Sequence, residues 1–396
     1  WDDEVAVTYK WRQGNALAEQ AVHRNDQEAF AAAVEAYQVA EQVPSISNLT
    51  KARIETSIAD LKTELGESAA DPDTIQEAVT AYRAALDLYK SKGAPNEAWA
   101  RVELGLTSAL IYLSDREQGT DSLDEALAAI NDAISVTDKQ SHPLEWAQAQ
   151  STLGNVLRLL GDRTGDASQY KQSVDAQQAA VAAIDRDKTS LDWATAEANL
   201  GASLARIGEA EQGTDSIDAA IEAFEAALSA RPRDKVPAEW AAVQHDLGGA
   251  YSTRGGKTEN AGDFDKGIAA FEAALEVRSR TSAPFDWATT KRNLGVAQKQ
   301  SAVLTGDPGR LDAAIESYQD ALTVFSQDSS AMDWAQTQAD LGIAALARAD
   351  RTHRKSDLKL ARAAYAAAYD VYQHVSEDYA GYFKGKLKDI DKRLKQ

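Results

Sequence analysis

The sequence contains no cysteine, and only five of its 396 residues are histidine. The lack of thiols excludes disulfide frameworks, thiolate nucleophiles, and zinc or iron–sulfur sites built on cysteine. The five histidines share no metal-ligand spacing, and no Gly-x-Ser-x-Gly nucleophile motif occurs. We therefore expect no enzymatic activity, no cofactor and no bound metal.

Positive charge is also scarce, since 42 Lys and Arg stand against 62 Asp and Glu, a net charge of −20. This balance argues against a nucleic-acid partner. No apolar run approaches the roughly 18 residues of a membrane-spanning helix, so membrane insertion is not expected. The chain begins with Trp1 instead of Met, which suggests a processed or shortened product, and no signal peptide is visible. The absence of cysteine favours a periplasmic or extracellular location over the cytoplasm, without deciding between them.

Tryptophan marks an internal repeat of 47 residues. The six tryptophans in this register are Trp99, Trp146, Trp193, Trp240, Trp287 and Trp334. A Leu-Gly pair follows seven residues later at Leu153-Gly154, Leu200-Gly201, Leu247-Gly248, Leu294-Gly295 and Leu341-Gly342. After Trp99 the pair reads Leu106-Thr107, so that repeat departs from the pattern.

A second motif lies nineteen residues beyond the glycine and has a small residue, a larger residue at +4 and alanine at +7. Its clearest copies are Ala33/Tyr37/Ala40, Ala78/Tyr82/Ala85, Ala126/Ile130/Ala133, Ala220/Phe224/Ala227, Ala314/Tyr318/Ala321 and Ala361/Tyr365/Ala368. Ser173/Gln177/Ala180 and Gly267/Phe271/Ala274 complete the eight copies. We predict eight repeats over residues 1–375 and an amphipathic capping helix over 376–396.

Each repeat reads as two helices, A and B, because residues at 0, +4 and +7 share one helical face. Prolines three residues before a tryptophan, such as Pro143, Pro237 and Pro284, indicate where helix A begins. Ser122 and Ser216 are predicted N-caps of helix B. Gly161–Asp166 is predicted to be part of a lengthened loop between the helices. The predicted fold is an all-α solenoid.

The recurring small residues have a packing explanation. Glycine inside a helix costs roughly 1 kcal/mol relative to alanine, so its recurrence indicates that another group lies too close to admit a Cβ. The tryptophans are interpreted as wedges between repeats, because one hairpin cannot cover its own apolar face. Truncating a fully buried one to alanine is expected to cost about 3–5 kcal/mol.

These motifs resemble the tetratricopeptide repeat family, in which helix A carries Leu-Gly and helix B carries alanine, an aromatic at +4 and alanine at +7. The resemblance covers about 95% of the chain, although the period of 47 residues exceeds the 34 of the family. It implies a right-handed superhelix of helix pairs that binds peptides or assembles complexes, without catalysis.

The resemblance also implies a groove lined by helix A residues six and three positions before the glycine position and one, four and five after it. The polar candidates at these positions, proposed to bind a partner, are Arg101, Asn155, Arg158, Arg206, His245, Arg292 and Lys299. In an acidic protein, such cationic and amide groups favour capture of an acidic peptide. The alternative is that they are surface residues paired with carboxylates along the same helix.

Two other segments have a weak resemblance to ligand sites. Gly255–Thr258 is similar to the end of a phosphate-binding loop but lacks the first glycine and a preceding strand, so we interpret it as a turn between helices. The acidic residues Asp115, Glu117 and Asp121 recur as Glu209, Glu211 and Asp215, but without the order of a calcium loop. Helix capping explains them better.

Two functions remain open. The first is a non-enzymatic scaffold for protein–protein interaction, with a peptide in the groove. The second is a structural subunit of an exported filament or tube that self-assembles, because an apolar face near Trp1, Val5, Tyr9 and Trp11 is expected to be uncovered. At the other end, Tyr379, Phe383, Leu387, Ile390 and Leu394 form the apolar stripe of the predicted capping helix, whose lysine-rich face is an alternative docking surface.

Overall fold

The computed structural model describes residues 2–24, 26–43, 46–69, 71–90, 97–116 and 119–396. Within these ranges the chain forms seventeen α-helices and no strand. The helices are α1 (Asp2–Arg24), α2 (Gln27–Glu41), α3 (Asn48–Ala69), α4 (Pro72–Lys90), α5 (Glu97–Ser114), α6 (Asp121–Val136), α7 (Pro143–Thr164), α8 (Ala167–Ala183), α9 (Ser190–Ala210), α10 (Asp215–Ala230), α11 (Pro237–Thr258), α12 (Ala261–Leu275), α13 (Pro284–Thr305), α14 (Pro308–Ala321), α15 (Ala331–Thr352), α16 (Lys355–Tyr372) and α17 (Glu377–Leu394). Odd-numbered helices up to α15 are A helices, even-numbered ones are B helices, and the predicted all-α solenoid is confirmed.

The helices form two compact units, Trp1–Ser203 and Leu204–Gln396, with the division inside α9. In unit 1, each of the first four A helices packs on its B helix, and α2, α4 and α6 also contact the A helix that follows. In unit 2, the same alternation runs from α10 to α16, and α17 packs on α16. Within each unit, neighbouring hairpins therefore cover the apolar faces that a single hairpin would expose.

At several of the repeated glycine positions of helix A, the glycine lies directly under the large residue of helix B. A Cβ built on Gly295 would lie 2.8 Å from Tyr318 Cε1, and one on Gly248 would lie 2.9 Å from the Phe271 ring. The same relationship holds for Gly14 with Tyr37, Gly154 with Gln177, and Gly342 with Tyr365. The prediction that close packing excludes a side chain at these glycines is confirmed, and the excluding group is the residue at +4 itself.

A second row of small residues was not recognised in the sequence. It lies in the last turns of helix A, where a Cβ on Gly161 would meet Tyr170 Cε1 at 2.7 Å and one on Gly208 would meet the Ile217 backbone nitrogen at 2.8 Å. Gly255 faces Phe264 in the same way at 3.2 Å. These glycines are also 47 residues apart, so the period alone could have located them.

Helix starts agree with the prolines but not with the predicted serine caps. α7, α11 and α13 begin at Pro143, Pro237 and Pro284. The caps at Ser122 and Ser216 are wrong, because α6 and α10 begin earlier, after Thr120 and Thr214. Ser122 is buried in the first turn of α6. Side-chain caps occur instead at a different repeated position, where Asp166, Asn260 and Asp307 each accept the backbone N–H two residues later.

The predicted long loop at Gly161–Asp166 is also wrong. α7 continues to Thr164, and Gly165 ends it in the left-handed region with φ of 73° and its N–H donating to Gly161 O. Likewise, Gly255–Thr258 forms the end of α11 and not a turn. α7, α11, α13 and α15 each have 22 residues, so the longer repeat has long A helices and short A–B connections.

Ion pairs join successive hairpins of unit 2. Asp218, Asp265 and Asp312 are 47 residues apart on successive B helices, and each contacts an arginine of the next hairpin. The partners are Arg254 for Asp218 at 2.7 Å, Arg310 for Asp265 at 2.5 Å, and Arg348 for Asp312 at 2.6 Å. Arg254 and Arg348 also bind buried carboxylates of their own hairpins, Asp263 at 2.6 Å and Asp357 at 2.8 Å.

Another repeated cation caps the preceding A helix. Arg163 donates to Ser114 O at 2.8 Å, Arg351 donates to Ala302 O at 3.1 Å, and Lys257 donates to Glu211 O. Carbonyls at a helix C-terminus lack hydrogen-bond donors within the helix and carry partial negative charge. A cationic side chain both donates the missing hydrogen bond and balances the partial charge. The lysine of the phosphate-loop-like segment therefore has a structural role.

The predicted capping helix is present as α17. Phe383 and Ile390 are buried against unit 2, and Leu387 and Leu394 pack beside them. Tyr379 is 52% exposed, and its ring centre lies 5.1 Å from that of Tyr372 on α16. Near the other end, Trp1 lies outside the described residues, and Val5 and Tyr9 are exposed on α1.

Candidate binding surface

A concave surface in unit 1 is formed by the inner faces of three consecutive A helices. It encloses a cavity of about 600 Å³. The lining from A helices includes Trp11, Asn15, Ala18 and Glu19 of α1, Arg53, Thr56, Asp60 and Glu64 of α3, and Arg101 of α5. These are the groove positions given by the family resemblance, counted from Gly14, Ala59 and Thr107. The cavity is completed by Ser57, Leu61, Tyr37, Tyr89 and Ala98.

Hydrogen bonds within the hairpins fix the polar groups of this cavity. The Tyr37 hydroxyl donates to Asn15 Oδ1 at 2.7 Å, and the Tyr82 hydroxyl donates to Asp60 Oδ1 at 2.8 Å. The Trp11 indole N–H donates to Ser57 Oγ at 3.3 Å, which links α1 to α3. The surface therefore has its donors and acceptors set before any ligand binds, which lowers the entropic cost of binding.

The cavity carries both signs of charge. Arg53 and Arg101 line it without an ion pair to any residue in the described ranges. Burial raises the pKa of Asp60, while the hydrogen bond from Tyr82 and the charge of Arg101 act in the opposite direction. Burial likewise raises the pKa of Glu103 to about 7, on the neighbouring face of α5.

Two predicted groove arginines are paired within their own helices. Arg158 Nη1 lies 3.1 Å from Asp162 Oδ2, four residues later, and Arg206 Nη1 lies 3.1 Å from Glu209 Oε2, three residues later. Residues three or four positions apart are neighbours on a helix surface. Both contacts therefore agree with the alternative that these arginines pair with carboxylates of their own helix. Asn155 lies 3.4 Å from Gln177 Nε2 and belongs to a polar network with Ser151.

His245 is enclosed between neighbouring A helices of unit 2. Its Nδ1 lies 3.0 Å from Thr290 Oγ1, its Nε2 lies 3.2 Å from Asn293 Nδ2, and its ring meets the Phe271 ring edge-on. Burial and, to a smaller extent, the nearby charge of Arg278 together lower the pKa of His245 to about 4. At neutral pH the imidazole is uncharged, so His245 adds no positive charge to the surface.

Arg292 and Lys299 converge on one carboxylate. Arg292 Nε lies 3.3 Å from Asp340 Oδ2, and Lys299 Nζ lies 3.4 Å from Asp340 Oδ1. Asp340 is 7% exposed and comes from the next A helix. The structure thus brings these two predicted residues together, but a buried aspartate already occupies the position that an acidic ligand would take.

The six repeated tryptophans differ in burial. Trp99 is 4% exposed, and the other five are half-buried. The alanine that follows each of these five is almost completely enclosed, as at Ala147, Ala194, Ala241 and Ala288. The expected loss of stability on truncating a fully buried tryptophan to alanine therefore applies to Trp99. For the other five, the role of a wedge between repeats stays a prediction.

Cations lie over four of these indoles, one of them Trp287, whose ring centre is 5.6 Å from Lys291 Nζ. Lys139 Nζ lies 4.3 Å from the Trp146 ring centre, and Arg186 and Arg233 cover Trp193 and Trp240 at 4.3 Å and 5.1 Å. Lys139, Arg186 and Arg233 are also 47 residues apart. Each contact is worth about 0.5–1 kcal/mol at an exposed site.

Sequence reasoning missed the residues that line the cavity of unit 1, with the exception of Arg101. The missed signal was available, because the groove spacing applied to Gly14 and Ala59 gives Trp11, Asn15, Arg53 and Asp60 directly. These residues were passed over because repeats 1 and 2 lack the tryptophan and Leu-Gly landmarks of the later repeats.

No group of three or more metal-ligating side chains occurs among the described residues, and Glu117 of the acidic loops lies outside them. In the same part of the chain, every helix is too short or too polar to cross a bilayer.

The sequence model of the tetratricopeptide repeat matches residues 202–234, which include all of α10. The chain therefore contains a tetratricopeptide repeat. Several hairpins outside the matched segment carry such glycine contacts, as at Gly161, Gly255 and Gly295. This fold is that of a scaffold for protein–protein interaction.

No curated protein matches the sequence. Among solved structures, a Rap protein in complex with Competence and Sporulation Factor is similar at 14% identity and a TM-score of 0.49, with 99% of this chain and 98% of that chain covered. The C-terminal part of a repeat protein from Cytophaga hutchinsonii is similar at 16% identity and a TM-score of 0.44, with 82% and 97% covered. A tetratricopeptide repeat protein from Parabacteroides merdae shares 14% identity at a TM-score of 0.45, with 84% and 99% covered. At these identities the likeness concerns the fold alone.

Proposed function

We propose that this repeat protein is an interaction scaffold that binds a peptide segment of a partner on the inner face of α1, α3 and α5. The observation that supports this most is the pair Arg53 and Arg101, which line a preformed cavity and form no salt bridge within the described ranges, although the charge of Arg101 acts on Asp60 of the same cavity. Every other cationic groove candidate, Arg158, Arg206, Arg292 and Lys299, forms a salt bridge.

The lining defines the kind of peptide. An acidic side chain placed between Arg53 and Arg101 would gain charge-assisted hydrogen bonds. An apolar or aromatic side chain next to it would pack on Trp11, Tyr37 or Tyr89, which supply flat apolar area. Glu19 and Glu64 would disfavour a second acidic residue on the α1 side. The expected ligand is therefore an extended segment with one acidic and one aromatic or aliphatic residue, and not a uniformly acidic tract.

Selection from a random peptide phage library, followed by calorimetry with the recovered peptides, tests this proposal. Arg53→Glu combined with Arg101→Glu should weaken binding at least tenfold. The matched control, Arg158→Glu combined with Arg206→Glu, makes the same change of charge at groove positions that are paired along the helix, and it should leave affinity within twofold. Circular dichroism checks that both variants remain helical.

The controls also separate this proposal from the broader groove hypothesis. If the Arg158 and Arg206 variant loses binding while the Arg53 and Arg101 variant retains it, the site lies on later repeats and the cavity of unit 1 is not the binding site. If selection recovers no peptide that the wild-type chain binds, the proposal of peptide binding fails.

A further inference from the structure

α17 has two chemically different faces. One face packs on unit 2 through Phe383 and Ile390, and Phe383 stacks on Tyr372 with ring centres 5.3 Å apart. The opposite side carries Lys384, Lys388 and Lys392, which lie one turn apart, and Lys395 continues the same stripe. All four lysines are exposed. We call them the lysine stripe.

Most of the lysine stripe is unpaired. Lys388, Lys392 and Lys395 have no ion pair or ring contact within the described residues, while Lys384 lies 5.5 Å from the Tyr369 ring centre. Asp391 is held by Arg362 at 2.5 Å, and its pKa is lowered by this hydrogen bond and by the charges of Arg362 and Lys395. Residues 384–396 contain six basic and two acidic residues, a charge of +4, so the remaining 383 residues carry −24.

The outer faces of the B helices in unit 2 have the opposite charge. Glu222 on α10, Glu272 on α12 and Glu316 on α14 are exposed carboxylates. Glu225, Asp265 and Asp312 on the same three helices are also exposed, but they already bind Tyr251, Arg310 and Arg348. On each helix the two residues are three, four or seven positions apart, so they share one face. The chain thus displays a basic helix and several acidic helix faces of similar length.

The backbone of α17 is also open to close approach. Gly381 and Gly385 lie one turn apart beside the lysine stripe, and a Cβ at either would meet nothing within 4 Å. Most glycines inside the other helices face a side chain or backbone of their own unit. On α17 the room for a neighbouring helix is left unfilled by this chain.

We propose that the lysine stripe of one copy docks on the acidic outer face of a B helix in a second copy. Two lysine stripes would repel each other, so the contact joins a lysine stripe to an acidic face. The resulting pair still has one free lysine stripe and one free acidic face. Such a heterologous contact extends into a chain or closes into a ring. This inference is independent of peptide binding in unit 1, since no residue is shared between the two surfaces.

Charge screening gives the interaction its signature. In about 0.1 M salt the screening length is about 10 Å. The short-range attraction between the lysine stripe and a carboxylate face then outweighs the repulsion between the net negative charges of the two copies, which lie farther apart. In about 1 M salt the screening length falls to about 3 Å, and the contact weakens. Association is therefore expected to decrease with salt, the opposite of association through an apolar face.

Sedimentation velocity over a range of protein concentrations tests the proposal. Wild-type protein should associate in about 0.1 M salt and dissociate at least tenfold more readily in about 1 M salt. Lys388→Gln, Lys392→Gln and Lys395→Gln together should weaken association at least tenfold, and the same lysines changed to arginine should retain it. Lys171→Gln, Lys235→Gln and Lys359→Gln form the control with equal loss of charge and should associate as the wild type does.

Several results would overturn the proposal. They are a monomer at every concentration and salt, association that increases with salt, or equal loss of association in the two glutamine variants. A chain that stays monomeric but floats with phosphatidylserine vesicles through the same lysines would show that a membrane surface, and not a second copy, occupies the stripe. Circular dichroism of the glutamine variant confirms that α17 is still folded, so loss of association cannot be assigned to unfolding.

Discussion

Tyr318 lies across Gly295, so closely that a Cβ on the glycine would stand 2.8 Å from Tyr318 Cε1. The tyrosine side chain is wholly buried, and its ring cannot move away without opening the hairpin. Glycine at this position is therefore required by its partner on helix B, and not by the backbone conformation of α13.

Two adjacent glycines of α11 should respond oppositely to alanine. At Gly248 a Cβ would meet the Phe271 ring at 2.9 Å, so Gly248→Ala should destabilise the protein by about 1–3 kcal/mol. At Gly249 nothing lies within 4 Å, and Gly249→Ala should stabilise it by about 1 kcal/mol through helix propensity. Urea unfolding followed by circular dichroism measures both, and equal effects at the two positions would contradict the packing explanation.

Removing a tyrosine hydroxyl should also give opposite results in two repeats. The Tyr37 hydroxyl donates to Asn15 Oδ1 at 2.7 Å. In the repeat that contains Tyr318, the position of Asn15 is occupied by Val296. The buried Tyr318 hydroxyl has no hydrogen-bond partner among the described residues. Tyr37→Phe should cost about 0.5–1.5 kcal/mol, while Tyr318→Phe should be neutral or stabilising. Val296→Asn should supply the missing acceptor. Thermal unfolding of the three variants provides the comparison, and a loss at Tyr318 equal to that at Tyr37 would show that the hydroxyl has a partner.

The period, the helix pairs and the glycine contacts could be predicted because each depends on residues at fixed spacing. The caps at Ser122 and Ser216 could not, since serine in the first turn and serine at the N-cap give the same local pattern. Whether Ser122 faces the core is decided by the neighbouring hairpin. The length of α7 beyond Gly161 was hidden for a similar reason, because this glycine is needed for contact with Tyr170 and does not end the helix.

Arg254 should be among the most sensitive positions of unit 2. It binds Asp263, which is 5% exposed, at 2.6 Å, and Asp218 of the preceding hairpin at 2.7 Å. Arg254→Leu leaves a buried carboxylate without its partner and should cost about 3–5 kcal/mol. Adding Asp263→Asn should restore part of the loss, because the uncompensated charge is gone. Hydrogen exchange in α10 to α12 reports on this junction, and identical exchange in the single and double variants would contradict the explanation.

Glu103 should make stability fall as pH rises. Burial raises the pKa of this carboxyl to about 7, above its ordinary value of 4.5, so the folded state binds more protons than the unfolded state between these values. The free energy of unfolding should therefore decrease as pH rises from about 4.5 to about 7. Glu103→Gln should flatten this dependence and stabilise the protein near pH 8 by about 1–3 kcal/mol. Urea titrations across this range test the sign, with the exposed Glu222→Gln as control. A wild-type slope that Glu103→Gln leaves unchanged would exclude Glu103 as its source.

The candidate site was only partly predictable from sequence. Spacing predicts which residues of helix A share a face, and one of the residues that it selects, Arg101, lines the cavity. It gives no information on which cations are already paired, since Asp340 reaches Arg292 and Lys299 from the next repeat. The pKa of His245, lowered by burial, likewise depends on three-dimensional neighbours such as Phe271 and Arg278.

The aspartates at 218, 265 and 312 have an evolutionary consequence. Each B helix in this series carries an aspartate at the same position, and an arginine of the following hairpin binds it. The arginine belongs to helix A for Asp218 and Asp312, and to helix B for Asp265. If the hairpin α11–α12 or the hairpin α13–α14 were deleted or duplicated in the gene, each new junction would again place aspartate before arginine. The number of modules in this half of the chain can therefore change in whole steps without creating an unmatched charge.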